Sequence, residues 1–108
     1  MDSIKTLQAE LEAFNQERDW DQFHTPANLA KSISIEAGEL LECFQWDETH
    51  YDIEDVKEEL ADVLAYSLQL VTKLHLDIKT IVEDKMEKNA KKYPVEKSKG
   101  RADKYDKL

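Results

Sequence analysis

Only two glycines and two prolines occur in the 108 residues of this chain. Tight turns and β-hairpins depend on these residue types, whereas alanine, leucine, glutamate and lysine, which are plentiful here, favour helices. We therefore predict an all-α protein. The length is that of a single domain with one modest hydrophobic core.

Apolar side chains recur at helical spacing in four segments. Ser3, Thr25 and Asp77 are predicted N-caps, and Pro26 occupies the first turn of the second helix, where its missing N–H costs nothing. With their capping residues, the predicted helices span about 3–19, 25–44, 52–75 and 77–93.

The four predicted helices have short connections, which favours a compact four-helix bundle-like domain over residues 1–94. Residues 95–108 are charged and lack periodicity, which predicts a flexible C-terminal tail, disordered alone or ordered against a partner. The long third helix exceeds what the other helices can cover. We therefore expect a homo-oligomer, a dimer or a tetramer, in which helices 2 and 3 pack against copies of themselves.

A formal net charge of −9 disfavours nucleic acid and anionic membrane surfaces as partners. The single cysteine, Cys43, cannot form an internal disulfide, which fits a reducing compartment. No signal peptide and no apolar run approaching transmembrane length is visible. We expect a cytoplasmic protein with no nucleic-acid or membrane partner.

Two carboxylate pairs with helical spacing, Glu36/Glu39 and Glu59/Asp62, are the candidate catalytic groups. With 24 acidic residues in the chain, such pairs also arise by chance, and most form a solvated face. Glu36 differs from the others because the helical wheel places it on the apolar face beside Leu40. A carboxylate in that position needs a compensating cation or must become neutral.

Four converging carboxylates form a cage of hard oxygen donors, which Mg²⁺ prefers, with Mn²⁺ as a substitute. Such a site can polarise a phosphate and deliver an activated water. The competing interpretation is a non-catalytic oligomeric helical bundle acting as an interaction module, in which the acids are solvated and Glu36 pairs with Lys85. A small protein-binding adaptor ranks last, because it depends only on the charged tail.

Several residues outside the cage are candidates for substrate binding. Lys85 and Asn89 continue the apolar stripe of the fourth helix, where they would supply donors to phosphate oxygens or, for Lys85, reach the edge of the helix and pair with an acid. Trp20 and Trp46 offer flat surfaces for stacking a base, although each alone is more often a core residue. His24 is placed to hydrogen-bond nearby.

Four segments together resemble the MazG-like all-α nucleoside triphosphate pyrophosphohydrolases, in particular their short, single-domain dCTP pyrophosphatase-like subgroup. They are RDWDQFHTPANLA (18–30), IEAGELLECFQW (35–46), EELADVLAY (58–66) and KMEKNAKKYP (85–94). The resemblance implies hydrolysis of a (deoxy)nucleoside triphosphate between the α and β phosphates, giving the monophosphate and pyrophosphate. The implied substrate is dCTP or a related or modified pyrimidine dNTP, and the implied role is sanitation of the nucleotide pool.

The resemblance also implies roles for individual residues. Glu36, Glu39, Glu59 and Asp62 match the metal ligands of the family, and Glu39 or Glu36 would assist the attacking water. The positions that match phosphate, sugar and base contacts, or the rim of the site, are Trp20, Trp46, Tyr66, Lys85, Asn89, Lys92 and Tyr93.

Overall fold

The computed structural model describes residues 2–108. Over these residues it contains helices and no β-strand, which confirms the predicted all-α class. In that same range no helix is long and apolar enough to cross a membrane. The α-helices are α1 (Ser3–Glu17), α2 (Pro26–Glu42), α3 (Ile53–Lys73), α4 (Ile78–Lys92) and α5 (Val95–Ser98), with 3₁₀ turns at Asp21–Phe23 and Tyr105–Lys107.

The chain divides into two compact units. The first ends at His75 and contains α1, α2 and α3, and the second, Leu76–Leu108, contains α4 and α5. This division lies before α4, whereas the sequence placed a boundary after residue 94. That residues 1–94 form the catalytic domain remains a prediction.

Side-chain caps explain where the second and fourth helices begin. Thr25 Oγ1 accepts a hydrogen bond from the backbone N–H of Asn28 at 3.1 Å, with Pro26 in the first turn, as predicted. Asp77 caps α4 in the same way, its carboxylate accepting from the N–H of Thr80 at 3.0 Å. These contacts satisfy N–H groups that have no partner within the helix.

The N-cap of the first helix lies one residue before the predicted cap, at Asp2. Ser3 is not the cap: the carboxylate of Asp2 accepts from the N–H of Lys5 at 2.9 Å. Helices α1 and α3 also end two residues before their predicted ends. In each case the chain then adopts a left-handed backbone conformation, with φ of 54° at both Asp19 and His75, which no α-helix can continue through.

Helices α2 and α3 pack along each other, and α1 lies against α3. Within residues 2–108 the buried apolar side chains are Leu29, which is 1% exposed, and Val71, which is 8% exposed. The core of the first unit is therefore small. Many apolar side chains of α2 and α3 remain more than two-fifths exposed, namely Ile35, Leu41, Ile53, Leu60 and Leu64.

The segment 95–108 has more regular structure than predicted, because it contains α5 and the second 3₁₀ turn. Tyr105 packs edge-on against Tyr93, with ring centroids 6.1 Å apart, and Lys92 Nζ lies 4.9 Å from the Tyr105 ring centroid. The segment thus contacts the end of α4 within its own unit. A four-residue helix is too short to produce the periodicity by which helices are recognised in sequence.

Candidate active site

Carboxylate groups from two helices meet between α2 and α3. Glu36 on α2 and Glu59 and Asp62 on α3 each offer an oxygen, and these atoms lie within 4.8 Å of one another. Glu59 and Asp62 are three residues apart, so they project from the same side of α3. Glu39, one turn after Glu36, hydrogen-bonds to the side chains of both Glu36 and Glu59. The structure therefore brings together all four predicted acids, here called the carboxylate cage.

Crowding of like charges shifts the protonation of the cage. A hydrogen bond that protonated Glu36 donates to Glu39, together with burial and the neighbouring carboxylates, raises the pKa of Glu36 from 4.5 to about 7. The pKa of Glu59 is also raised, first by its hydrogen bond with Glu39 and then by burial. An oxygen of each, Oε2, is buried with no hydrogen-bond partner. Buried unpaired carboxylate oxygens are costly, and a divalent cation among them would remove that cost, so these residues fit a divalent metal ion.

A cavity of about 340 Å³ opens beside the cage. Glu39 and Glu59 of the cage line it, together with Glu42, Asp55 and Cys43. Burial, followed by the charges of Asp55 and Glu59, raises the pKa of the Cys43 thiol, which keeps it neutral and unsuited to act as a nucleophile. Sequence reasoning did not select Glu42 and Asp55 as site residues, although Glu42 lies one turn after Glu39 on α2 and Asp55 lies one turn before Glu59 on α3.

A second cavity, of about 360 Å³, lies between α1, α3 and the first 3₁₀ turn and is here called the α1–α3 cavity. Much of its wall is polar, in contrast to the apolar surface expected where two helices meet. Its lining side chains include Gln8, Leu11, Asn15, His24, Gln69 and Thr72.

Two side-chain hydrogen bonds connect α1 to α3 at this cavity. Gln8 Nε2 donates to Thr72 Oγ1 at 2.9 Å, and Asn15 Nδ2 donates to Gln69 Oε1 at 2.6 Å. Asn15 is only 7% exposed. Sequence reasoning missed Asn15 and Gln69. Asn15 could have been noticed in the sequence, because it places an amide four residues after Leu11, on the face of α1 that was predicted to be apolar.

Of the predicted base-contacting residues, His24 lies at the α1–α3 cavity. Its ring stands edge-on to Tyr66, with centroids 6.4 Å apart, and its Nδ1 is buried without a hydrogen-bond partner. Trp20 packs edge-to-face on Phe14 at 5.9 Å, and Trp46 is 88% exposed beyond the end of α2. Neither tryptophan is among the residues that line these two cavities, and their contact with a base remains a prediction.

The remaining predicted contacts belong to the second unit. Lys85, Asn89 and Lys92 lie on α4, and Tyr93 is its C-cap, with its N–H donating to the carbonyl oxygen of Asn89 at 2.8 Å. Their contact with substrate phosphates and sugar remains a prediction.

Comparisons with known proteins consistently find MazG-like proteins and pyrophosphatases. The MazG-like family model matches residues 31–108. Rat dCTP pyrophosphatase 1 is 40% identical over 120 residues, with the whole chain aligned to 67% of the rat protein. The human dCTP pyrophosphatase 1 is 35% identical over 117 residues, again aligned with the whole chain and 67% of its own length. A pyrophosphatase from Archaeoglobus fulgidus superposes with a TM-score of 0.77 at 42% identity, covering 87% of this chain and 94% of the other.

Proposed function

This chain belongs to the MazG-like family, and on that premise we propose that it is a Mg²⁺-dependent nucleotide pyrophosphohydrolase. The enzyme hydrolyses a deoxynucleoside triphosphate between its α and β phosphates and releases the monophosphate and pyrophosphate. Because the animal relatives are named for dCTP, we propose dCTP or a related pyrimidine dNTP as the substrate, in sanitation of the nucleotide pool.

The observation that carries this proposal is the carboxylate cage. Oxygens of Glu36, Glu59 and Asp62 lie within 4.8 Å of one another, although like charges at this separation repel. Such an arrangement is favourable only when a cation or protons offset the charge. It therefore supports a role in holding Mg²⁺ against a phosphate chain.

The four acids divide between two tasks. Glu36, Glu59 and Asp62 would hold Mg²⁺, which when bound neutralises phosphate charge and lowers the pKa of water. Glu39 hydrogen-bonds to Glu36 and Glu59 and also lines the adjoining cavity. From that position its carboxylate accepts a proton from the attacking water and orients it toward phosphorus. Lys85 and Asn89 would donate to the phosphate oxygens.

We also propose that the active form is a homo-oligomer. Leu41 is 68% exposed, Ile35 61% and Ile53 54%, and all three lie on helices of the first unit. Large apolar side chains left this exposed on two packed helices are typical of an interaction surface. A second copy packed on α2 and α3 would cover it.

The decisive experiment measures pyrophosphate release from a panel of deoxynucleoside triphosphates with Mg²⁺. We expect turnover by the natural chain and none by Asp62→Asn, which removes one cage charge while keeping the shape of the side chain. Glu58→Gln is the matched control, because Glu58 is an exposed acid on the same helix. Natural turnover in Asp62→Asn would contradict the assignment of the cage.

The alternative of a non-catalytic bundle predicts a different response to the metal. A cage that binds Mg²⁺ is stabilised by RT ln(1 + [L]/Kd), so its melting temperature should rise at millimolar Mg²⁺. A scaffold with a solvated acidic face should respond no more than the Asp62→Asn variant does. Equal melting shifts in the two proteins would favour the bundle.

A further inference from the structure

The α1–α3 cavity has a feature that helix packing alone does not require. Its wall contains amide side chains from both helices, and Asn15 is among the most buried residues of the described chain. A buried amide is costly unless its donors and acceptors are used. The Asn15 NH₂ group donates to Gln69, whereas Oδ1 accepts no hydrogen bond among residues 2–108 and is not a fully buried atom, so it is accessible to a ligand.

The orientation of both amides is fixed by a chain of hydrogen bonds. Gln69 Nε2 donates at 3.1 Å to the carbonyl oxygen of Ala65, which can only accept. Gln69 must therefore turn its oxygen toward Asn15, and Asn15 must turn its NH₂ group toward Gln69, at 2.6 Å. The group that Asn15 has left to offer a ligand is Oδ1, an acceptor.

This acceptor lies along the same helix face as the cage. Glu59, Asp62, Tyr66 and Gln69 follow a 3-4-3 spacing, which places them on one side of α3. Seven residues separate Asp62 from Gln69, or about 10 Å along the axis. That length is of the order that separates the α phosphate of a nucleotide from the far edge of its base. A triphosphate held at the cage would thus direct its base toward the cavity.

We infer that the α1–α3 cavity receives the nucleobase and that Asn15, held by Gln69, selects a pyrimidine with an exocyclic amino group. This inference rests on the proposed function and assigns Asn15 and Gln69 roles beyond it. An amino group donates to Asn15 Oδ1, whereas the carbonyl oxygen that replaces it in uracil or thymine meets a second acceptor. The cavity volume of about 360 Å³ is near the lower end for ligand sites and suits the smaller ring system.

The test compares binding of dCMP and dUMP by calorimetry, which requires no turnover. The natural protein should bind dCMP about 10- to 100-fold more tightly, the range expected for one unmatched buried acceptor. Asn15→Leu, similar in shape, should bring the ratio close to one. Gln69→Met should weaken the preference because it releases the Asn15 amide to rotate. Asn15→Asp should weaken it as well, because a carboxylate oxygen would then face Gln69 Oε1 and the hydrogen bond that orients the side chain would be lost.

Gln16→Leu is the matched control, since Gln16 is an exposed amide next to Asn15 on α1, and its ratio should equal that of the natural protein. Should Asn15→Leu fail to fold, Asn15→Asp and Gln69→Met still decide the question. An unchanged ratio in Asn15→Leu or Gln69→Met, or no dCMP preference in the natural protein, would overturn the inference. A dCMP preference without pyrophosphate release would instead contradict the proposed function and leave this inference standing.

Discussion

Glu36 and Glu39 lie one turn apart on α2, and the hydrogen bond between their side chains is the main reason that the pKa of Glu36 rises to about 7. Near neutral pH without metal, the cage therefore retains a proton that an isolated glutamate would have lost. The same crowding raises the pKa of Glu59. Either protons or a bound cation can therefore relieve the repulsion among the carboxylates of the cage.

The pH dependence of stability follows from this shift. Below pH 4.5 Glu36 is protonated in the folded and the unfolded chain, and between 4.5 and about 7 the folded chain binds more protons. The free energy of unfolding should therefore fall as pH rises through this window. Urea unfolding at a series of pH values in EDTA would measure it.

Two controls sharpen that experiment. Glu36→Gln cannot titrate and should flatten the profile, and Mg²⁺ should reduce the decline because it replaces the proton. The stabilisation by Mg²⁺ should accordingly grow as pH rises toward 7 and beyond. A free energy of unfolding that increases with pH across the window in EDTA would show that Glu36 is not held in this environment.

Glu39→Gln should separate catalysis from folding. The substitution keeps the size of the side chain and removes one of four clustered charges, so the metal-free melting temperature should stay level or rise. Loss of the base should lower turnover by about 10²- to 10⁴-fold. Pyrophosphate release and thermal melting, each beside the exposed control Glu58→Gln, provide both readouts. Turnover within a few-fold of the natural protein would assign the proton transfer to another group, with Glu36 the first candidate.

The sequence was sufficient to predict the helices and the cage because both depend on local spacing. Thr25 and Pro26 mark the start of α2 by chemistry that acts within one turn. Glu36 was predicted as a site residue because its charge falls on an apolar helical face, and the structure places its side chain among other carboxylates. Three- and four-residue spacings predict which side chains share a face of one helix.

The contacts between different helices and the lining of the cavities could not be predicted, because residue spacing within one helix does not determine how helices pack together. The pairing of Asn15 with Gln69 joins residues 54 positions apart, and only the packing of α1 on α3 brings them together. Trp20 and Trp46 were predicted to contact a base from their residue type and from the family resemblance; they line neither cavity, and that contact remains a prediction. Residue type suggests what a side chain can bind, and tertiary packing decides whether it is placed to do so.

The ion pair between Lys73 and Asp21 should hold the first 3₁₀ turn against the end of α3. The Nζ–Oδ1 distance is 2.8 Å, and the side chains are 31% and 51% exposed, so solvent screens the attraction. We expect a coupling of about 0.2–1 kcal/mol in a double-mutant cycle of Lys73→Met with Asp21→Asn. As the control, Lys57→Met, which breaks an exposed ion pair within α3, should show no coupling with Asp21→Asn. Additive effects of the two substitutions would show that the pair contributes no coupling.

The exposed face of α2 and α3 gives the last prediction, which concerns assembly. Leu41 is 68% exposed, and a stable interface commonly buries more than about 1,000 Å² of surface, much of it apolar at the centre. We expect a mass in solution that is a multiple of 12.6 kDa, measured by light scattering after size-exclusion chromatography. Leu41→Glu should shift the protein toward the monomer, because a charge in that interface loses its hydration, while Leu41→Met should leave the mass unchanged. A natural protein that elutes as a monomer at micromolar concentration would refute the proposed assembly, whatever the variants do.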